Sequence, residues 1–186
     1  MQTNLIYGAY PVAEKYIAVL ENTFYYKDWA KAQRKFLYND EAVETDPLLG
    51  NMRRNLLAEN HLIQMDGFDT DLIRLAEQNP SNKAAFHYAG VFYLLAKDMT
   101  RFKTLVETYY GTDLLPSLPV SFQEAVIILS EKDPDYWKRF GVSESIVGRF
   151  TDYKRQVLAG RNNSNALPGL MYRSYGDTYW YYYMFK

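Results

Sequence analysis

The chain contains no cysteine. That single absence excludes disulfides, thiolate zinc sites, iron–sulfur clusters and a cysteine nucleophile together. Histidine is nearly absent too: His61 and His87 stand far apart, and neither has a ligand-type residue at helical spacing. Metal sites need three or four ligands at set intervals, so no metal or other cofactor is expected. There is no glycine-rich phosphate loop, no Gly-x-Ser-x-Gly and no His-Glu-x-x-His among the 10 scattered glycines and 2 histidines. The longest nearly apolar stretch, Ala84 to Ala96, is interrupted by His87 and too short to span a bilayer. The opening Met1-Gln2-Thr3-Asn4-Leu5-Ile6-Tyr7 lacks the basic and apolar regions of a signal peptide. The segment is therefore expected to be soluble. Charge of either sign is not in excess, with 21 basic and 22 acidic residues. The 9 basic against 5 acidic residues from Lys132 onward make no clustered basic face, so nucleic acid is not an expected partner.

What the chain has in abundance is aromatic: 18 Tyr, 10 Phe and 3 Trp, 17% of its 186 residues. Such a core is bulky and rich in hydroxyls and indoles that need hydrogen-bond partners. Strand-type alternation between tight turns is missing, while period-3.6 patterns recur from end to end. Val12, Tyr16, Ile17, Leu20 and Phe24 define one stripe, and Trp29, Ala32, Phe36 and Leu37 a second with Asp28 as N-cap. Leu49, Met52, Leu56 and Ile63 define a third behind Asp46-Pro47, and Leu72, Ile73, Leu75 and Ala76 a fourth that stops before Asn79-Pro80. A buried helix is predicted from Ser81 or Asn82 to about Lys97, then one carrying Phe102, Leu105, Val106 and Tyr109, with Gly111 behind it. Ser121-Phe122-Gln123-Glu124 reads as a capping box. Asp133-Pro134 opens a short helix, and Ser143 caps a long one with Ile146, Phe150, Tyr153 and Val157. The state of residues 177–186 stays open. The expectation is an all-α chain of about nine helices in one domain spanning residues 1–186.

Segment Phe86-His87-Tyr88-Ala89-Gly90-Val91-Phe92-Tyr93 resembles the first helix of a tetratricopeptide repeat, with Phe86 in the Trp place and Ala89 in the Leu place. The second-helix pattern departs from that family, since Phe102 stands where Ala is usual. This resemblance implies antiparallel helix pairs stacked as an α-solenoid. Three further stretches resemble the soluble C-terminal region of an uncharacterised bacterial membrane-anchored family: 13–17, 118–125 and the ending 179–183. That resemblance implies the soluble piece of a longer, anchored protein and carries no activity.

Candidate chemistry is sparse. Asp66-Gly67-Phe68-Asp69-Thr70-Asp71 departs from a calcium loop in its glycine position and lacks the closing Glu, so caps and a turn account for it. Asp133 and Asp135 suit a cap and a helix dipole. Glu14, Glu59 and Glu124 are the carboxylates a glycosidase-type pair would draw on, but no spacing brings two of them together. The strongest anomaly is the run Tyr179-Trp180-Tyr181-Tyr182-Tyr183-Met184-Phe185, apolar on every side as a helix. Tyr179 and Tyr183 are expected to be core, and Trp180 and Tyr182 to be the contact surface for a partner. The reading is a non-catalytic helical-repeat module that binds protein, or the remainder of a longer chain. The alternative is a glycan-binding or carbohydrate-processing domain with an aromatic groove.

Overall fold

Short helices follow from the spacing of apolar residues and from frequent local breaks at Pro, Asn-Asp and Gly. The computed structural model describes residues 1–56, 67–131, 133 and 135–186. Among these the chain is all-α, with twelve α-helices, two 3₁₀ turns and no strand. Helices thus outnumber the nine expected, because 2–7, 40–45 and the tail supply short ones that carry no sustained period. No helix of the described residues is long and apolar enough to cross a membrane. The chain divides into two compact units, Met1–Leu62 and Ile63–Lys186.

The first unit holds α1 (Gln2–Tyr7), α2 (Tyr10–Leu20), α3 (Lys27–Gln33), α4 (Asp40–Thr45) and α5 (Leu49–Arg54). Its core joins Leu5, Ile6, Tyr10, Ala13, Phe36, Val43 and Leu49. Arg53 ties the ends of three elements. Its guanidinium donates to the Leu5 and Ile6 carbonyls at 2.8 and 2.9 Å and to Asp40 at 2.7 Å, satisfying the Ile6 carbonyl at the end of α1 and adding to the bond that Leu5 accepts from the Gly8 amide. Asp46 accepts from the Leu48 and Leu49 amides at 3.0 and 2.9 Å in the turn that leads into α5, whose N-cap is Leu48 rather than the Asp46 expected. That helix ends at Arg54, and Ile63 lies outside the described residues. The stripe assigned to α2 is corrected. Tyr10, Ala13 and Ile17 are buried, whereas Val12, Tyr16 and Phe24 are exposed. Both faces of α2 are apolar, so periodicity alone does not choose between them. Asp28 lies inside α3, which Tyr26 precedes as N-cap.

The second unit holds α6 (Phe68–Gln78), α7 (Lys83–Leu95), α8 (Met99–Tyr109), α9 (Val120–Leu129), a 3₁₀ turn (Tyr136–Phe140), α10 (Glu144–Gly160), α11 (Leu167–Tyr175) and α12 (Tyr179–Phe185). Asp98 caps α8 by accepting from the Arg101 amide at 3.0 Å. Phe86, Phe102 and Phe122 are buried where α7, α8 and α9 meet, with Phe102 edge-on to Phe122 at 5.1 Å. Asp69 is neither cap nor ligand. It is buried on α6, where it accepts from the Tyr93 hydroxyl of α7 at 2.7 Å and from Arg101 of α8 at 3.2 Å. Burial alone would raise its carboxyl; the Tyr93 hydroxyl, local amides and the Arg101 charge outweigh burial and hold it below its ordinary value. The capping box at 121–124 does not form. Pro119 is already the N-cap of α9, which moves Ser121 and Glu124 inside the helix.

Candidate functional site

Two apolar stripes at helical spacing meet without closing. On α10, Phe150, Tyr153, Val157 and Leu158 recur at i, i+3, i+7 and i+8; on α12, Trp180, Tyr183 and Met184 recur at i, i+3 and i+4. With Ile128 from the end of α9 they line a cleft of ≈ 330 Å³. Trp180 forms its floor at 1% exposure, its ring 5.0 Å from Phe150. Leu158, Tyr183 and Met184 stand exposed on the rim. A second depression of ≈ 280 Å³ shares Glu131, Phe150 and Lys154 with the first and extends to Trp137, Val147 and Thr151. The two run along α10 from Val147 to Leu158, a rise of about 16 Å, or three helical turns.

The polar groups of the cleft are few and paired. Glu131 and Lys154 form an ion pair at 3.2 Å across its mouth. The Lys154 ammonium also lies 5.7 Å from the Phe150 ring centre, at cation–π range. The Tyr153 hydroxyl donates toward the Trp180 carbonyl at 3.3 Å and the Met184 sulfur at 3.1 Å. Burial pushes the Tyr153 phenol up to about 12, with nearby Tyr181 adding to the shift, so it is neutral at physiological pH.

The cleft exists because α12 is pinned from below by Glu124. This side chain is 4% exposed; its carboxylate accepts from the Tyr179 amide at 2.7 Å, and its backbone carbonyl accepts from the Trp180 indole at 2.8 Å. Thr178 caps the same helix by accepting from the Tyr181 amide at 3.2 Å. Arg149 fastens the preceding turn to Asp177 at 2.7 Å and to the Ser174 carbonyl at 3.0 Å. Burial raises the Glu124 carboxyl above its ordinary 4.5, against the opposing pull of the Tyr179 amide and Arg149. A folded-state value above the unfolded one makes stability full below the unfolded value and lost as pH rises through the folded value. Glu124→Gln keeps the acceptor and removes the titration. Its unfolding free energy is expected to match or exceed the wild type at pH 7, and to lack the wild-type decline on raising pH from about 4.5. Glu124→Ala strands the Tyr179 amide and is expected to lose about 1–3 kcal/mol at any pH. Urea melts at pH 4 to 8 check both outcomes.

The aromatic run divides differently from the sequence reading. Tyr179, Trp180 and Tyr181 are buried, and Tyr183 is 37% exposed. Trp180 forms the cleft floor, with α9 beneath it supplying the Glu124 carbonyl that its indole requires. Tyr182 is half-buried away from the cleft and donates to the Leu95 carbonyl at 2.7 Å. Among the other candidates, Glu14 accepts from Tyr38 at 3.0 Å in the first unit, while Glu124 is engaged in the second. Glu59 and His61 lie outside the described residues. His87 is half-buried between the Phe86 and Phe122 rings, at 6.5 and 6.2 Å. Among the described residues no three His, Asp or Glu side chains are grouped to hold a metal ion. The α10 stripe was legible as a core face. Leu158, which widens it toward solvent, was the overlooked sign of a groove. Residues 1–186 match a family of unknown function, DUF6057. No curated protein and no solved structure matches the chain.

Proposed function

The chain belongs to the family of unknown function DUF6057, and we propose that its second unit is a non-catalytic interaction module that takes the apolar face of a protein helix in the cleft between α10 and α12. The observation that carries this reading is the open cleft between the two stripes, with Leu158, Tyr183 and Met184 exposed on its rim and Tyr153 and Trp180 buried beneath them. Helix-in-groove recognition uses anchors at i, i+3, i+4 and i+7, and the cleft's run from Phe150 to Leu158, about 12 Å, accommodates them. Neutralisation of Lys154 by Glu131 favours a protein partner over a nucleic acid. A tetratricopeptide-like arrangement of α6 to α9 belongs to the same reading. It is supported by the burial of Phe86, Ala89, Gly90 and Tyr93 on one face of α7. A saccharide site has less support, since a sugar needs an exposed ring beside two acids. Trp180 is 1% exposed, and Glu131 is paired.

The test is selection of amphipathic helical peptides on the whole chain, followed by titration calorimetry. Leu158→Asp with Met184→Asp changes two exposed rim residues; it is expected to stay folded with a modestly lower melting temperature, since Tyr153 loses its contact with the Met184 sulfur but keeps the Trp180 carbonyl. Affinity for the selected peptides is expected to fall at least tenfold, about 1.4 kcal/mol or more. Peptides that bind the double variant as tightly as the wild type would overturn the reading.

A further inference from the structure

The first unit presents aromatic rings to water at a level that its own core does not explain. In the turn between α2 and α3, Phe24 is 93% exposed and Tyr25 87%. Tyr26 and Trp29 follow on the same turn and the start of α3, both exposed, with their rings 6.3 Å apart. Val19, one turn earlier on α2, is exposed too. The turn is fastened. Thr23 donates to the Leu20 carbonyl at 2.7 Å and accepts from the Tyr26 amide at 3.3 Å, and the Phe24 and Tyr25 rings meet edge-on at 5.3 Å. These rings therefore form a small preordered knob.

The turn and α3 carry a cationic excess: residues 21–36 hold four basic side chains, Lys27, Lys31, Arg34 and Lys35, and two acidic ones, Glu21 and Asp28. Arg34 is taken by Glu21, with two hydrogen bonds at 2.6 and 2.8 Å. Lys27 and Lys31 are exposed and make no ion pair among the described residues. The choice of cation separates two kinds of partner. Protein interfaces enrich aromatic residues and Arg but deplete Lys. Lysine next to Tyr and Trp suits a membrane surface, where aromatic rings settle at headgroup depth and lysine stems extend to the phosphates. We propose that this turn and α3 form a docking surface for an anionic lipid bilayer. Phe24 and Tyr25 enter the headgroup layer, and Lys27 and Lys31 meet the lipid phosphates. The surface is independent of the cleft in the second unit.

The test is co-sedimentation of the whole chain with phosphatidylcholine vesicles containing about a third phosphatidylserine, beside vesicles of phosphatidylcholine alone. The wild type is expected to partition onto the anionic vesicles at least tenfold better, and to lose that preference in about 0.5 M salt. A lysine near an anionic surface is worth about a fivefold change in partition. Lys27→Glu with Lys31→Glu is therefore expected to reduce binding by more than tenfold. Phe24→Ser with Tyr25→Ser is expected to do the same through the lost apolar insertion. All four side chains are exposed, so thermal melts of both variants should overlay the wild type. Absence of wild-type binding, or loss in only one of the two variants, overturns the proposal. So does concentration-dependent self-association, seen by sedimentation velocity without lipid, that Phe24→Ser with Tyr25→Ser abolishes; that result would make a second copy the occupant.

Discussion

Deletion of Tyr179 to Lys186 is expected to abolish cooperative folding of the second unit. Trp180 is 1% exposed, Tyr181 6% and Tyr179 8%, so three large aromatics leave the core at once. Replacing a single buried Phe or Trp with Ala typically costs about 3–5 kcal/mol. Three such losses match the about 5–15 kcal/mol that keeps a whole domain folded. Polar losses add to this. The Glu124 carboxylate gives up the Tyr179 amide, its backbone carbonyl gives up the Trp180 indole, and the Leu94 and Leu95 carbonyls give up the hydroxyls of Tyr179 and Tyr182. A buried charge without its donor is costlier than the pair it belonged to. The check is near-ultraviolet circular dichroism with a thermal melt. The point variant Trp180→Ala is expected to remain folded but to melt well below the wild type. A truncated chain with an unchanged melting temperature would show that α12 adds nothing to the core.

The same tail shows why some of the fold was legible and some was not. Signals that act within a few residues were readable: Ser143 is the N-cap of α10, and Asn79-Pro80 stops α6. The identity of a buried face was readable where only one face is apolar. It was not readable on α2 or α12, which are apolar on two sides or all round; there the neighbour decides, and the neighbour is distant in sequence. Glu124 makes the point most clearly. Locally it completes a capping box with Ser121, but Pro119 opens the helix two residues earlier, and the amide that claims the carboxylate belongs to Tyr179, 55 residues on. The cleft shares that origin. Its α10 stripe is visible in the sequence, while the gap beside it depends on where Glu124 and Thr178 hold α12.

Gly90→Leu is expected to be strongly destabilising. A Cβ on Gly90 would fall on Phe122 Cζ and lie 2.8 Å from Cε2 and 3.1 Å from Cε1. Phe122 has nowhere to retreat. It is 1% exposed and edge-on to Phe102 at 5.1 Å, with the His87 ring 6.2 Å away. Even Gly90→Ala, which improves helix propensity by up to about 1 kcal/mol, is expected to destabilise by about 1–3 kcal/mol. That corresponds to a melting temperature lower by about 3–10 °C. Gly90→Leu adds three more carbons to the same space and is expected to force α7 and α9 apart. Phe122→Leu shortens the opposing side chain, so Gly90→Ala should cost less in that background, and a double-mutant cycle reads the coupling directly. Gly148 supplies the opposite case. It sits exposed in the middle of α10 with nothing within 4 Å of an added Cβ. Gly148→Ala has only the propensity gain, so it should stabilise by about 0.4–1 kcal/mol. The two alanine variants, melted side by side, should therefore move in opposite directions; a Gly90→Ala that moves with Gly148→Ala would mean that α7 and α9 do not pack through Phe122.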